Sequence, residues 1–389
     1  MSARATCVEL ARELVRIPSV NPEGDPGVAE VGERACAEFV AGVLGRAGAE
    51  VTLDEVLPGR PNVVGRFPVD RAGKPRLVFA PHTDTVSVAG MSIEPFAATL
   101  RDGRLYGRGA SDTKGPMAAM LAALLECREL LPRLPCEIWF AGLMGEESGL
   151  LGSRDFVARH AVDFALVGEP TGLRTVHAHK GCAWIRLRTR GRASHASTPA
   201  AGENAIHPML GALDEVVGAV TPELAAIDDP LLGQPTISVG VINGGSKVNI
   251  VPANCSCDID LRTVPAMDVD AYLARLRARL TARAPGLEFE ARQAPPLHTR
   301  PEGRLFECLA AAGSALTTAP WFCDAAIFGA AGTPAVAVGP GSIGQAHTAD
   351  EFIAVDDLEA GGEFFARLLR ELAARRSLDW SRAGLTDGL

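Results

Sequence analysis

The chain has 389 residues, 47% of them hydrophobic, and a formal net charge of -9 at pH 7. This length predicts two domains, because a single hydrophobic core seldom extends over so many residues. The acidic balance, with arginines scattered rather than clustered, argues against nucleic-acid binding, and no apolar run approaches the roughly 20 residues of a membrane span. With no signal-peptide core and nine irregularly spaced cysteines, we expect a soluble, cytoplasmic protein with reduced, buried thiols.

The first segment of the chain alternates between helical and strand-like patterns. Apolar residues recur with helical periodicity over 7–16 and 31–48. Continuous apolar runs bounded by Gly and Pro predict buried strands at 77–80, 137–144 and 164–167. This alternation is typical of a layered α/β domain, which we expect to span residues 1–180 and to resume over 296–389.

The pattern changes within residues 181–295. The predicted order there is strand 183–190, helix 203–220, strands 236–242 and 255–262, helix 268–283 and strand 287–292. This β-α-β-β-α-β order is that of a ferredoxin-like motif. The sequence therefore predicts an α/β catalytic domain that is interrupted by an inserted α+β lid domain.

Acidic and histidine side chains follow the carboxyl ends of the predicted catalytic-domain strands or lie in Gly-rich loops nearby. They are His82, Asp84, Asp112, Glu146, Glu147, Glu169 and His347. Ligands of open α/β sheets bind at the carboxyl edge of the strands, so we expect these side chains to converge on one crevice. A set of His, Asp and Glu without Cys predicts a metal site, with zinc favoured over cobalt or manganese.

Asp112 and the pair of glutamates also have alternative interpretations. Asp84 stands two residues after His82 and can hydrogen-bond its imidazole. Asp112 can bridge two cations, or it can serve only as the N-cap of the helix that follows. For the adjacent Glu146 and Glu147, a metal would relieve their repulsion, with Glu147 as ligand and Glu146 as general base; the alternative is a solvated loop.

The segments PHTDTV, GRGASDTKGPMAAML, GEESGLLGS, VGEPT and QAHTADEF together resemble the signatures of the M20 metallopeptidase and deacylase family. The resemblance implies a zinc-peptidase-like α/β/α catalytic domain with a lid domain through which the protein forms a homodimer. It further implies two Zn²⁺ per subunit, or Co²⁺ in their place, with Asp112 bridging them. The implied metal ligands are His82, Asp112, Glu147, Glu169 and His347. Glu146 is the implied general base, and Asp84 the residue that orients His82.

Two lid segments resemble substrate-contacting segments of the same family. GRASHASTP implies that His195 reaches the active site of the neighbouring subunit and stabilises the oxyanion. KVNIVPANCSCDIDLR implies that Asn249 and Arg262 bind the substrate. Without the resemblance, His195 is a surface residue of a Ser- and Gly-rich loop, and Arg262 pairs with Asp260 or Asp258 on the face of a strand.

The function implied is metal-dependent hydrolysis of a linear amide in a small molecule. GPGSIGQAHTADEF is especially similar to the acetylornithine deacetylase branch, which favours removal of a small acyl group from an N-acyl-L-amino acid. The alternative is a dipeptidase or carboxypeptidase that releases a C-terminal amino acid. A catalytically inactive binding protein is disfavoured, because every catalytic position is kept. The segment WFCDAAIF departs from the family's Gly-Thr-Glu-Ala or Thr-Asp-Ala, so Trp321, Cys323 and Asp324 leave the preferred amino acid open.

Overall fold

The computed structural model describes residues 3–23 and 32–375. The chain forms two compact units. Of the described residues, the first unit comprises 3–23, 32–177, 298–318 and 323–375, and the second comprises 178–297 and 319–322. The boundaries that the sequence predicts for the inserted domain are 181 and 295.

The strands bear numbers in chain order. They are β1 (Glu50–Leu57), β2 (Arg60–Arg66), β3 (Arg76–Pro81), β4 (Thr99–Arg101), β5 (Arg104–Tyr106), β6 (Glu137–Gly142), β7 (Phe164–Gly168), β8 (Thr175–His179), β9 (Gly181–Arg190), β10 (Thr236–Gly244), β11 (Asn254–Thr263), β12 (Glu288–Ala294), β13 (Leu297–His298), β14 (Leu316–Ala319), β15 (Ala335–Ala337) and β16 (Phe352–Ala354).

The helices are numbered in the same way. They are α1 (Ala3–Arg16), α2 (Arg34–Arg46), α3 (Lys114–Glu126), α4 (Leu151–Arg159), α5 (Ile206–Glu215), α6 (Thr221–Ala225), α7 (Val269–Arg283), α8 (Arg304–Ala312), α9 (Ala325–Ala330) and α10 (Val355–Ala373). None of these helices is both long enough and apolar enough to cross a lipid bilayer.

A mixed sheet forms the centre of the first unit. Its strands run in the order β1-β2-β6-β3-β7-β15-β8, completed by β13 and β14. Strands β6, β3, β7 and β15 are parallel, whereas β1 and β2 extend the sheet in antiparallel fashion. A separate small antiparallel sheet joins β4, β5 and β16. The carboxyl ends of the four parallel strands therefore meet at one edge, where open α/β sheets bind their ligands.

Helices cover both faces of this sheet. Alternate side chains of a strand point to opposite faces. On one face, Phe79 of β3 contacts Phe365 of α10, with ring centroids 5.7 Å apart, in a core that also includes residues of α1, α2, α3 and α8. On the other face, Trp139 of β6 packs edge-on against Phe156 of α4, which contacts Phe328 of α9. The predicted α/β/α layering is confirmed.

The second unit contains an antiparallel sheet in the order β10-β11-β9-β12. Helices α5 and α7 pack on one face, where Ile185, Leu187 and Ile259 form a core with Leu276 and Leu280. Helix α7 begins at its predicted position, since the side chain of Asp268 accepts a hydrogen bond from the backbone N–H of Ala271 at 3.0 Å. The observed element order is the predicted β-α-β-β-α-β.

One short segment differs from the predicted organisation. Residues 319–322 fall within the predicted catalytic domain, but they belong to the second unit. Aromatic packing explains this, since Trp321 stacks on His179, and Phe322 meets Trp184 edge-on at 5.8 Å. The guanidinium of Arg262 also lies over the ring of Phe322 at 5.5 Å. The unusual WF pair of the sequence is thus part of an aromatic cluster of the second unit.

The cysteines are structural, as the sequence predicts. All nine are buried as free thiols. Cys255 and Cys257 share one face of β11 and point into the core of the second unit. Burial raises the pKa of the Cys257 thiol to about 11, which keeps it protonated and unreactive.

Candidate metal centre

The carboxyl edge of the parallel strands brings the predicted residues of the first unit together. His82 directly follows β3, and Glu169 directly follows β7; both are buried. Beyond β6 the chain turns through a single 3-10 turn, Glu146–Ser148. His347 lies in the loop after β15 and is exposed. The order of strands in the sheet, rather than their order along the chain, makes these side chains neighbours.

Three groups of side chains offer donor atoms within 4.8 Å of one another. The groups are His82 with Asp112 and Glu169, His82 with Glu146 and Glu147, and Asp112 with Glu147 and His347. Asp112 belongs to two groups that share no other member. This arrangement brings together all five predicted ligands, with Asp112 between the two histidines.

The distances between donor atoms match those of ligands on a common ion. Nε2 of His82 lies 3.0 Å from Oδ1 of Asp112. Nε2 of His347 lies 3.4 Å from Oδ2 of Asp112 and 3.2 Å from Oε1 of Glu147. Two ligands about 2.1 Å from one tetrahedral cation are about 3.4 Å apart. The two oxygens of Asp112 thus face different histidines, as a bridging carboxylate requires.

The ring of His82 is oriented mainly by the backbone. Its Nδ1 lies 3.0 Å from the carbonyl oxygen of Asp84 and 3.5 Å from the carboxylate oxygen Oδ1 of the same residue. A carbonyl oxygen can only accept, so Nδ1 carries the proton, which points Nε2 towards Asp112 as a ligand nitrogen. Nδ1 of His82 is thus closer to the main-chain carbonyl oxygen of Asp84 than to the carboxylate that the sequence singles out.

The carboxylate of Asp84 holds the loop that carries the two glutamates. It accepts hydrogen bonds from the backbone N–H groups of Glu146 and Glu147, both at 3.0 Å, and from Nδ2 of Asn21 at 2.7 Å. Oδ1 of Asn21 in turn accepts from the hydroxyl of Ser148 at 2.9 Å. These contacts tie the candidate base and its neighbour to the segment that follows β3. The sequence gives no signal for Asn21 and Ser148, because their roles depend on a contact across more than 100 residues.

Asp112 is not the N-cap of α3. That position belongs to Thr113, whose side chain makes no capping hydrogen bond. The carboxylate of Asp112 instead faces His82 and His347, while its backbone N–H donates to the buried carboxylate of Glu351 at 3.0 Å. The helix-capping alternative is therefore wrong for this residue.

Enclosure by protein atoms and mutual repulsion shift the three glutamates, but not Asp112, towards protonation. Burial raises the pKa of Glu146, of Glu147 and of Glu169, and the neighbouring carboxylates raise each of them further. For Asp112, burial also acts to raise the pKa, but hydrogen bonds from His347 and His82 outweigh it and hold the value below normal. Of these four acids, Asp112 therefore has a lowered pKa, because two histidines stabilise its charge, whereas the three glutamates have raised pKa values.

The histidines show the complementary shift. Contacts with Asp112 and Glu147 raise the pKa of His347 to about 10. Burial opposes protonation of His82, yet hydrogen bonds to Asp112 and Asp84 raise its pKa well above the ordinary value. The centre thus concentrates negative charge, which a divalent cation would neutralise. Imidazole nitrogens and carboxylate oxygens at ligand spacing, without a thiol among them, fit zinc or a similar ion.

A further buried acid lies close to this centre. Asp324 accepts a hydrogen bond from the hydroxyl of Ser153 at 2.5 Å, and its other oxygen has no hydrogen-bond partner within the described chain. Burial raises the pKa of Asp324 to about 7. The charge of Asp84 adds to this increase, whereas the charge of His82 opposes it. Asp324 comes from the WFCDAAIF segment, so the departure from the family pattern preserves an acid beside the metal centre.

The remaining predicted site residues lie in the second unit. His195 is exposed and contacts the hydroxyl of Ser197 through Nδ1 at 2.7 Å. The carbonyl of the exposed Asn249 accepts from the backbone N–H of Ala196, which places Asn249 next to His195. Arg262 pairs with Asp260 through two hydrogen bonds of 2.7 and 3.0 Å, the structural alternative that the sequence leaves open.

Comparisons with known proteins agree with this geometry. The sequence profile of peptidase family M20/M25/M40 matches residues 78–371. An acetylornithine deacetylase from Proteus mirabilis (strain HI4320) is 30% identical over 379 residues, which cover 94% of this chain and 96% of that protein.

Solved structures share the fold. An M20 family metallo-carboxypeptidase from Sulfolobus solfataricus superposes with a TM-score of 0.79 at 19% identity, over 95% of this chain and 99% of that one. A dinuclear metal binding peptidase of the M20 family from Bacillus subtilis gives a TM-score of 0.67 at 14% identity, over 94% and 97% of the two chains. The profile match covers most of the chain and includes the strands that position the centre, and the chain therefore belongs to peptidase family M20/M25/M40, a family of metal-dependent amide hydrolases.

Proposed function

We propose that this hydrolase removes a small acyl group, such as acetyl, from an N-acyl-L-amino acid, using two divalent cations, zinc or cobalt. The observation that carries the proposal is the position of Asp112, whose two oxygens face different histidines in two distinct donor groups. The similarity to acetylornithine deacetylases favours an N-acyl amino acid over a peptide. The proposed ligands are His82, Asp112, Glu147, Glu169 and His347.

Glu146 is the proposed general base. When bound, the cations supply Lewis-acid polarisation of the amide carbonyl and lower the pKa of a water molecule. Glu146 lies in the donor group with His82 but is not needed as a ligand in either of the groups that contain Asp112. Its carboxylate accepts a proton from the attacking water and returns it to the leaving nitrogen as the C–N bond breaks. The products are a carboxylate and a free amine.

The second unit is proposed to contribute the groups that recognise the substrate. His195 is exposed on a loop and can donate a hydrogen bond to the oxyanion. Asn249 and Arg262 are proposed to bind the amino-acid part, for which the planar guanidinium suits a carboxylate. In this proposal the protein acts in the cytoplasm as a homodimer, so that His195 serves the neighbouring subunit. Light scattering tests this directly, because a fully active monomer would exclude that role.

A hydrolysis panel tests the proposed reaction. The purified protein is incubated with N-acetyl and N-succinyl amino acids and with dipeptides, in the presence of added zinc or cobalt or of a chelator, and products are identified by mass spectrometry. Chelator-sensitive release from acyl amino acids alone supports the proposal. A preference for dipeptides would instead identify a dipeptidase or carboxypeptidase, and no cleavage of either class would contradict both.

A further inference from the structure

Glu351 is a buried acid that the proposed reaction does not use. It stands four residues after His347 in the segment AHTADE, immediately before β16, and its side chain is fully enclosed. It belongs to none of the three donor groups. A charged carboxylate in such a position is costly unless its oxygens are satisfied by donors, so its contacts show what it does.

The carboxylate of Glu351 accepts hydrogen bonds from the loop that carries Asp112. Its Oε1 accepts from the backbone N–H groups of Ser111 at 2.9 Å and Asp112 at 3.0 Å. Its Oε2 accepts from the backbone N–H of Gly109 at 3.0 Å and from the buried guanidinium of Arg108 at 2.7 Å. Four donors from four residues of one loop thus converge on a single side chain.

Backbone and hydroxyl contacts tie the same two segments together. The N–H of Gly107 donates to the carbonyl oxygen of Glu351 at 3.0 Å. The hydroxyl of Ser111 donates to the carbonyl oxygen of Ser342 at 3.1 Å and accepts from its N–H at 3.3 Å. The segment 342–351, which includes His347, is therefore fastened to the Asp112 loop on either side of that histidine.

We infer that Glu351 is a positioning residue that sets the spacing between Asp112 and His347, two metal ligands that lie 235 residues apart in the sequence. The inference rests on the proposed function. Asp112 and His347 come from different segments, and the hydrogen bonds of the Glu351 carboxylate join those segments. Groups that orient metal ligands through hydrogen bonds typically contribute a factor of about 10 to 100 in metal affinity.

The substitution Glu351→Gln tests this role with little change in shape. Glutamine keeps one acceptor oxygen, but its amide nitrogen would face N–H donors, either those of Ser111 and Asp112 or those of Gly109 and Arg108. We expect zinc affinity, measured on the apoprotein by competition with a chromophoric chelator, to fall about 10- to 100-fold. Glu215→Gln is the matched control, because Glu215 is also buried and paired with two arginines, Arg279 and Arg283, but lies in the second unit.

A double variant separates positioning from simple charge balance. Arg108→Gln combined with Glu351→Gln removes both members of the buried ion pair, and it carries the test if Glu351→Gln alone does not fold. We expect the double variant to recover apoprotein melting temperature relative to Glu351→Gln but not zinc affinity. Recovery of both together would show that Glu351 only neutralises Arg108 and would overturn the inference.

Wild-type binding in the same titration distinguishes a failure of the positioning role from a failure of the proposed function. If the wild-type protein binds zinc and Glu351→Gln binds it equally well, the positioning role is wrong and the proposed function stands. If the wild-type protein binds neither zinc nor cobalt, the proposed function itself fails, and the inference fails with it. A loss of affinity in Glu351→Gln that Glu215→Gln does not share supports the positioning role.

Discussion

The candidate metal centre of the first unit and the outer face of the second-unit sheet, which is the face opposite α5 and α7, use acidic residues in opposite ways. On the outer face, Asp258 of β11 is paired with Arg186 of β9, and Glu288 of β12 with Arg190 of β9. These contacts lower the pKa of Asp258 and of Glu288. In the centre, by contrast, burial raises the pKa of the three glutamates, and neighbouring carboxylates raise it further.

The difference separates a structural arrangement of charge from a functional one. Cross-strand ion pairs neutralise Asp258 and Glu288 where they stand, in contact with water, so these two acids need no cation. The centre encloses an excess of negative charge that protein groups alone do not balance. We therefore expect perturbations of the centre to be large and dependent on metal, and perturbations of the outer face to be small and independent of it.

Removal of metal is expected to have the largest effect. Exhaustive dialysis against a chelator should abolish amide hydrolysis, and zinc or cobalt should restore it, because the centre is proposed to act through the bound cations. Metal should also stabilise the fold, by about 4 kcal/mol when its free concentration is roughly 1,000 times the dissociation constant. Thermal melts with and without chelator measure this. Equal melting temperatures and full activity of the metal-free protein would contradict the expectation.

Glu146→Gln should separate chemistry from metal binding. The amide cannot accept the proton of the attacking water, so we expect kcat to fall by about 10² to 10⁴. Metal content, measured by atomic emission, should stay close to that of the wild-type protein, since Glu146 is not a proposed ligand. Glu290→Gln, on the outer face of the second unit, is the matched control and should leave kcat unchanged. A fully active Glu146→Gln variant would remove Glu146 as the base.

Asp84→Asn should have an intermediate effect. Asparagine has only one acceptor oxygen, and its amide nitrogen would oppose the N–H groups of Glu146, Glu147 or Asn21, which now donate to the carboxylate. The loop that carries both glutamates should lose its fixed position, and we expect metal affinity to fall by about 10- to 100-fold. Competition with a chromophoric chelator measures this affinity.

Asp258→Asn provides the control for Asp84→Asn, because Asp258 is held by Arg186 on the outer face. It should change neither metal affinity nor kcat. An Asp84→Asn variant that also binds metal like the wild-type protein would show that the contacts of Asp84 are not what holds the loop. Asp84 and Asp258 carry the same charge, so a difference in metal affinity between the two variants would show that the location of the acid decides its effect.

The sequence predicts the layers of this protein, and the side chains that meet at the carboxyl edge of its sheet, better than it predicts the contacts that hold those side chains in place. Strands β3, β6 and β7 are continuous apolar runs, and an acid or histidine directly after such a run has only the carboxyl edge of the sheet to occupy. The main-chain contact of Asp84 with His82 has no such signal, because any residue has a carbonyl oxygen. Glu351 stands in the motif AHTADE, but only folding shows that its carboxylate meets a loop more than 200 residues earlier.

The smallest expected effect is the coupling free energy of the ion pair between Arg188 and Glu290, which lies on the outer face of the second-unit sheet. The two side chains lie 2.7 Å apart across β9 and β12, and Glu290 is 64% exposed. Water screens such a pair, and ordering two long side chains offsets most of the attraction. A double-mutant cycle with alanine at each position should therefore give a coupling free energy of about 0.2 to 1 kcal/mol, measured by chemical denaturation.

The coupling should be the same with and without metal, because neither residue contributes to the centre. A coupling above about 2 kcal/mol, or one that changes when metal is removed, would show that the ion pairs of the outer face do not balance their charges independently of the centre.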